Sequence, residues 1–287
     1  MRIAFATCYV FPDGRADDQL AAAPLGAEFR VWNDSDVDWH VYDRVVIRSV
    51  WDCYRDLRSF LGWCATVGGA RLRNRPELVA FNADKRYLAT LAVPTVPTTF
   101  LEPGYALQRY NAEIVVKPNM SAGARDTGRF TPDAFDEAAQ LVTLIHESGR
   151  TAMVQPYLPA VDAHGETAIV LFGGEVSHVL GKRPVLRSPG VAPLAAEGVA
   201  HAPAAVMLED DLVAPSSATT AQLALAQAAH AEIAARFGSP LYMRVDIVEG
   251  PDGEPVVIEL EMIEPNLYMD LVPGAPERLA QAIRAGA

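Results

Sequence analysis

The segment from Tyr242 to Glu261 constrains this chain more than any other. It runs Tyr242-Met-Arg-Val-Asp-Ile-Val, turns at Gly250-Pro-Asp-Gly253 and returns as Val256-Val-Ile-Glu-Leu-Glu261. Both arms alternate apolar with charged residues, the period of a strand with one face in a core, and the turn chemistry between them predicts a β-hairpin. With Glu249 opposite Glu254, Arg244 falls opposite Glu259. Asp246 then sits diagonal to Glu259 on the same face, and Glu261 lies two residues further along. Three carboxylates and one arginine on one face repel each other unless a cation sits among them. Magnesium suits that role, because it is hard, prefers oxygen ligands and arrives with substrate phosphates. The hairpin therefore predicts a nucleotide–metal site.

Composition narrows the classes of function. A formal net charge of -12 over 287 residues argues against nucleic acid or anionic lipid as the main partner. Half the residues are apolar and about a fifth are charged, an ordinary globular balance. The length allows two or three subdomains, each with its own core. Cys8, Cys53 and Cys64 are odd in number and lack C-x-x-C spacing, which reads as reduced, mostly buried cytosolic thiols. The opening Met-Arg-Ile-Ala-Phe-Ala-Thr meets Asp13 and Arg15 too soon for a signal peptide, and no apolar run approaches a membrane span. The expectation is a soluble, cytoplasmic protein.

Along the chain the patterns suggest three α/β units, at 1–78, 79–156 and 157–287. The first has strands at Arg2–Thr7, Ala27–Trp32 and Arg44–Val50, with helices at about Asp17–Ala23 and Arg55–Thr66. Such alternation predicts a parallel sheet with ligands beyond the carboxyl ends of its strands. In the second unit, Asn82 opens a helix to Leu91, Glu113–Pro118 is a strand, and Asn119–Gly128 is a small-residue loop. A helix to about Ser148 and a strand at Thr151–Gln155 follow. The third has strands at Glu166–Phe172 and Glu175–Leu180 joined by Gly173-Gly174, then a Pro/Ala/Ser-rich surface excursion over 184–217. That excursion reads either as a mobile lid or as a contact in a homodimer. A helix at about Ala218–Phe237 leads into the hairpin, and no internal repeats are present.

Several residues carry chemistry only in company. Lys117 ends a strand before a loop containing Ser121, Ala122 and Gly123, where a lysine can reach a phosphate and backbone N–H groups can approach an anion. Taken alone, Lys117 reads better as a plain strand-end surface lysine, and no Walker A loop exists. Gln155-Pro156-Tyr157-Leu158 suits a hinge beside an adenine ring, or a simple Pro-containing connection. Glu166 and Lys182 project on one face of their hairpin, where they could hold a ribose hydroxyl and a phosphate or form a surface ion pair. Arg48 and Asp52 could clamp the carboxylate and amine of an amino-acid-like substrate, or bridge each other. Trp51 stays open as a substrate contact because it follows a strand end. The six histidines and the cysteines show no metal spacing, and no G-x-S-x-G is present.

Taken in chain order, these elements resemble the ATP-grasp superfamily along essentially the whole chain. The order is a small α/β unit, Lys85, Val-Val-Lys117-Pro with its loop, Val-Gln-Pro-Tyr-Leu158, Glu166, Met-Arg244-Val-Asp246 and Ile-Glu259-Leu-Glu261. The resemblance implies an N-terminal parallel-sheet α/β domain and two α+β subdomains sandwiching ATP. It implies Lys117 on the phosphates, Lys85 as an outlying phosphate contact, and 119–128 as a closing loop. Gln155–Leu158 and Glu166 would hold adenine and ribose, and Asp246, Glu259 and Glu261 would hold Mg2+. Many members carry Glu-x-Asn here, so Glu261 or Asn266 is the third ligand. Arg-Ile-Ala-Phe-Ala-Thr, Asp17-Asp18, Ile-Arg48-Ser-Val-Trp-Asp-Cys-Tyr54 and Glu-Leu-Glu-Met-Ile-Glu-Pro are similar to the D-cycloserine synthetase group. That likeness implies O-ureido-D-serine as substrate in antibiotic biosynthesis. The broader likeness leaves other amino-acid or peptide ligases open, including dipeptide-, glutathione- and glutamate-ligase types. A nucleotide-binding module without catalysis would not need Lys117, Arg244 and the three carboxylates together.

Overall fold

The computed structural model describes residues 1–194 and 204–286. Four short strands, β1 (Ile3–Thr7), β2 (Glu28–Val31), β3 (Arg44–Ile47) and β4 (Leu72–Arg73), form a parallel sheet in the order β2-β1-β3-β4. Every residue of β1 is buried, as expected of a strand covered on both faces. The helices of this unit are α1 (Ala16–Ala22) and α2 (Leu57–Val67), the latter capped by Asp56 accepting from the Ser59 N–H.

The helix expected from Asn82 is displaced. Helix α3 (Pro76–Asn82) ends there, and a 3-10 turn over Lys85–Thr90 starts from a cap by Asp84. The Asn82 amide instead donates to the Leu260 carbonyl at 2.8 Å and accepts from the Met262 N–H at 2.9 Å. The reason lies at a sheet edge whose outward backbone groups need partners. Tyr87 serves the same edge, its hydroxyl lying 2.9 Å from the Leu260 carbonyl and 2.7 Å from the Leu260 N–H.

The remaining strands build two antiparallel sheets. The first takes β5 (Thr99–Leu101), β6 (Ile114–Pro118), β7 (Gly128–Phe130) and β8 (Ala152–Pro156), with α4 (Phe135–Glu147) packed on one face through Leu141 and Ile145. The short helix α5 (Ala160–His164) leads to β9 (Glu166–Phe172) and β10 (Glu175–Lys182). Then come β11 (Gly190–Val191), β12 (Val213–Pro215), α6 (Thr220–Phe237), β13 (Tyr242–Glu249), β14 (Pro255–Glu261) and α7 (Ala275–Ala285). The sheet orders are β11-β7-β6-β8-β5 and β12-β10-β9-β13-β14. Residues 184–217 are thus more than a surface excursion. Their described flanks add an edge strand to each sheet, while 195–203 lie outside the described residues. No helix among the described residues is long and apolar enough to cross a membrane.

The hairpin forms with a different register. Glu249 pairs with Pro255, and a β-bulge between Asp246 and Ile247 shifts the ladder, so that Asp246 faces Glu259 and Arg244 faces Glu261. The turn closes over five residues, with the Gly250 N–H on the Glu254 carbonyl at 2.8 Å. The longer turn and the bulge each slip the ladder by one, which keeps all four charged side chains on one face.

The two faces of this last sheet differ. On one, Ile169, Leu171, Met243 and Val245 pack against Ala229 and Ile233 of α6. On the other, Val170, Phe172 and Tyr242 join Phe5 and Val46 of the parallel sheet and Leu279 of α7. That second face continues past its apolar half to Glu166, Lys182, Arg244 and Asp246, which no helix covers. The site begins where the apolar cover stops.

Asn74 secures this junction. It is 2% exposed and donates to the carbonyls of Tyr242 (2.9 Å) and Met262 (2.8 Å) while accepting from the Leu241 N–H (2.7 Å). Asn74→Ala strips three buried backbone groups of partners and should lower unfolding free energy by about 3 kcal/mol. Urea denaturation checks this; a loss within experimental error would show that water replaces the amide.

Candidate functional site

A cavity of about 620 Å3 opens between the two antiparallel sheets, with a third wall from the parallel-sheet unit. The β6 strand contributes Lys117, β9 and β10 contribute Glu166 and Lys182, and the hairpin contributes Arg244, Asp246, Glu259 and Glu261. Strand alternation places them there, since each is an even-numbered step from a side chain on the same sheet face.

The charges form a continuous network. Lys182 Nζ lies 2.9 Å from both Glu166 Oε2 and Asp246 Oδ2. Arg244 donates through Nε to Asp246 Oδ1 at 2.8 Å and through Nη2 to Asp246 Oδ2 at 2.9 Å. It also pairs with Glu261 and donates to the Asn266 carbonyl at 2.8 Å. Lys85 pairs with Glu259 at 3.2 Å and donates to the Ser121 carbonyl at 2.8 Å. Burial alone raises the Asp246 pKa, but Arg244 and Lys182 outweigh it and hold the carboxyl far below the usual range. Glu261 is pushed up to about 7 by burial and by its neighbours Asp246 and Glu259, against the pull of Arg244. Lys117 is depressed by burial and the nearby Lys85, and among the described residues it has no carboxylate within ion-pair distance.

The carboxylates on this face are the right donors for a hard dication, and the surplus negative charge felt by Glu261 is what a cation would relieve. Among the described residues no three such side chains already converge as a ligand cage. Asp246 has both oxygens engaged by cations, whereas the Glu259 and Glu261 side chains are 26% and 29% exposed and reach the cavity. The Asn266 side chain accepts from the Tyr268 N–H at 3.1 Å.

The remaining candidates divide. Ser121, Ala122 and Gly123 line the cavity, and the backbone is left-handed at Gly123 (φ 65°) and Ala124 (φ 55°). Gln155, Pro156, Tyr157 and Leu158 line it as well, with the Arg129 guanidinium stacked 3.5 Å from the Tyr157 ring centre. Trp51 also reaches it and donates to the Glu264 carbonyl at 3.3 Å. Arg48 and Asp52 do not line the cavity. Arg48 is 2% exposed, pairs with Asp18 at 2.7 Å and donates to the Pro265 carbonyl, pinning the parallel-sheet unit to the chain after the hairpin. Asp52 accepts from Trp32 Nε1 at 2.8 Å. A strand end marked both residues as candidates; in the structure Arg48 is buried and half-buried Asp52 is engaged by Trp32, away from the cavity lining.

Sequence reasoning missed Arg15, Tyr54 and Glu264, which also line the cavity. The Tyr54 hydroxyl donates to Glu264 Oε1 at 2.7 Å across 210 residues of sequence, and no local pattern signals such a meeting. Arg15 stacks over Trp51 at 4.3 Å. Glu264 Oε2 is buried with no hydrogen-bond partner among the described residues.

Comparison with known proteins accords with this geometry. Residues 3–74 match the family model described as the N-terminal domain of D-cycloserine synthetase DcsG. The cycloserine biosynthesis protein DcsG of Streptomyces lavendulae is 34% identical over 276 residues, which is 90% of this chain and 88% of that protein. A crystal structure of D-cycloserine synthetase DcsG superposes with a TM-score of 0.85 at 32% identity, covering 100% of this chain and 99% of that one. A D-alanine–D-alanine ligase from Bacillus anthracis, complexed with ATP, gives a TM-score of 0.65 at 14% identity, covering 99% and 96% of the two chains. A RimK domain ATP-grasp protein from Sphaerobacter thermophilus gives 0.61 at 16%, covering 99% and 100%. The last two likenesses are of fold alone, and the fold is ATP-grasp. A glutathione synthetase from Ralstonia nicotianae is 31% identical over 41% of this chain and 37% of its own length.

Burial pushes the Glu264 carboxyl up to about 7 from an ordinary value of 4.5, with Glu259 adding to it and Tyr54 and Lys85 opposing. The folded state then holds a proton that the unfolded state has lost, so stability falls as pH rises from 4.5 through 7. Relative to the parent, Glu264→Gln should be unchanged below pH 4.5 and more stable by about 3 kcal/mol above pH 7. Denaturation of the ligand-free protein across this range measures it; a pH-independent difference would contradict the assignment.

Proposed function

The chain belongs to the family of D-cycloserine synthetase DcsG, and from that premise we propose that it is an ATP-dependent carboxylate–nitrogen ligase that closes O-ureido-D-serine to D-cycloserine. One observation carries this reading. The likeness to a cycloserine biosynthesis protein runs the length of the chain and includes the cleft between the sheets, where the ionic network lies. The likeness to a glutathione synthetase spans only 41% of this chain and 37% of that protein, against 90% and 88% for the cycloserine biosynthesis protein, which favours the cyclising reading over a peptide-forming one. The three units at 1–78, 79–156 and 157–287 would meet around this cleft, in a cytoplasmic enzyme with a small amino-acid-like substrate.

The roles follow from the chemistry of each side chain. A carboxylate is a poor electrophile, and phosphorylating it supplies a good leaving group for attack by nitrogen. Lys117, with no carboxylate beside it, would neutralise the ATP phosphates, and Lys85 would support it from the other side of the loop. Gln155–Leu158 would hold adenine, and Glu166 with Lys182 would face the ribose and adjoining phosphate. Arg244 would balance the charge that develops on the acyl oxygens during transfer. Ser121–Gly123 would cover the phosphates and exclude water, which otherwise hydrolyses the activated acid. Trp51 and Asn266 would border the acid substrate. Bound magnesium would supply further charge neutralisation on the phosphates. Asp246, Glu259 and Glu261 would hold it, with Glu261 preferred to Asn266 because the Asn266 side chain is engaged with the Tyr268 N–H.

Purified protein given Mg-ATP and O-ureido-D-serine should release ADP and D-cycloserine together. ADP release only with other amino acids would keep the ligase class and remove the cyclo-ligase reading. Glu259→Gln should reduce turnover by about 100-fold or more and raise the magnesium needed for half-maximal rate. Retention of full activity and unaltered magnesium dependence would remove Glu259 from the metal site.

A further inference from the structure

The ionisable side chains that line the cavity without being solvent-exposed can be matched charge against charge. Lys85 has Glu259, Lys182 has Glu166 and Asp246, and Arg244 has Asp246 and Glu261. Arg15 stands 3.7 Å from Asp17. Two groups are left over among the described residues: Lys117, a cation with no carboxylate within ion-pair distance, and Glu264, a carboxylate with no cation within it. Both line the cavity, Lys117 from β6 and Glu264 from the chain after the hairpin, where Trp51 and Tyr54 of the parallel-sheet unit meet it.

Resting on the reading of this cleft as an amino-acid ligase site, we propose that Glu264 binds the primary ammonium group of the acid substrate and so sets its specificity for amine-bearing acids. Tyr54 fixes the carboxylate by donating to Oε1, and Trp51 fixes the backbone of the same residue, so the group is held rather than free to swing into water. Oε2 remains without a hydrogen-bond partner. A buried carboxylate oxygen left unpaired is costly, and such a cost persists in a folded protein where a ligand relieves it. An ammonium supplies both the charge and the N–H donors that the site lacks, whereas a neutral hydroxyl or an anionic group does not. Anchored there, the ammonium would leave the carboxylate of the same small molecule directed along the cleft toward Arg244 and Lys117. This makes Glu264 a substrate contact rather than a structural acid, and it gives the Tyr54 bond a purpose: it orients the anchor.

The test uses the full-length protein with Mg-ATP and reads ADP release. Wild-type protein is assayed with O-ureido-D-serine, with other amino acids, and with the desamino analogue of whichever acid is turned over. Glu264→Gln should lower kcat/KM for the amine-bearing acid by about 10- to 100-fold, chiefly through KM, while KM for ATP stays within about twofold. The same substitution should leave kcat/KM for the desamino acid nearly unchanged, so that discrimination between the two acids collapses. Tyr54→Phe, which keeps the ring and removes the orienting bond, should shift discrimination in the same direction by a smaller factor. Equal losses on both acids, or a loss confined to ATP, would overturn the assignment while leaving the ligase reading intact. Turnover of a different amine-bearing acid would remove the cyclo-ligase reading alone, and absence of ADP release with every amine-bearing acid would sink both.

Discussion

The structure turns on one buried carboxylate. Asp246 sits on one face of a five-stranded sheet with both oxygens bound, Oδ1 by Arg244 and Oδ2 by Arg244 and Lys182 together. Two cations without it would repel each other in a low-dielectric wall, and without them the carboxylate would be an isolated buried charge. From this centre the network reaches Glu166 and Glu261, and through them the rest of the cleft. The bulge in the hairpin is part of the same arrangement, because it slips the ladder by one residue and brings Glu259 and Glu261 level with Asp246 and Arg244.

Around that centre the fold sorts polarity along a single sheet face. Its apolar half is sealed by the parallel sheet and α7, and its charged half is left to the cavity. The seal depends on polar clips as well as on packing. Asn74 and Asn82 complete the backbone bonds of the sheet edge, and Arg48 ties the first unit to the segment after the hairpin. Arg48 and Asp52, read from the sequence as substrate candidates, thereby lie outside the cavity lining, which Trp51, Tyr54 and Glu264 share instead.

Much of this was legible beforehand. Period-two alternation announced the hairpin and β9–β10, and continuous apolar runs announced β1, because one-face and two-face burial leave different patterns. Lys117 and the Ser121–Gly123 loop were visible as a lysine followed by small residues. The short edge strands at Gly190–Val191 and Val213–Pro215 were not, since two or three residues carry no periodic signal. The surroundings of Arg48 were not legible either, because a strand end can serve a ligand or a domain junction, and its partner Asp18 is met only across the fold.

The sequence by itself determined which side chains share a face, and hence that four charged groups of the hairpin would crowd together. Local periodicity is sufficient for that, while the ATP-grasp cleft was implied by the chain's resemblance to that superfamily. The tertiary structure decided which charge answers which: that Lys182 and Arg244 take Asp246, that Lys85 takes Glu259, and that Lys117 and Glu264 are left over. Pairing depends on distances between segments far apart in the chain, and a sequence pattern holds no measure of those.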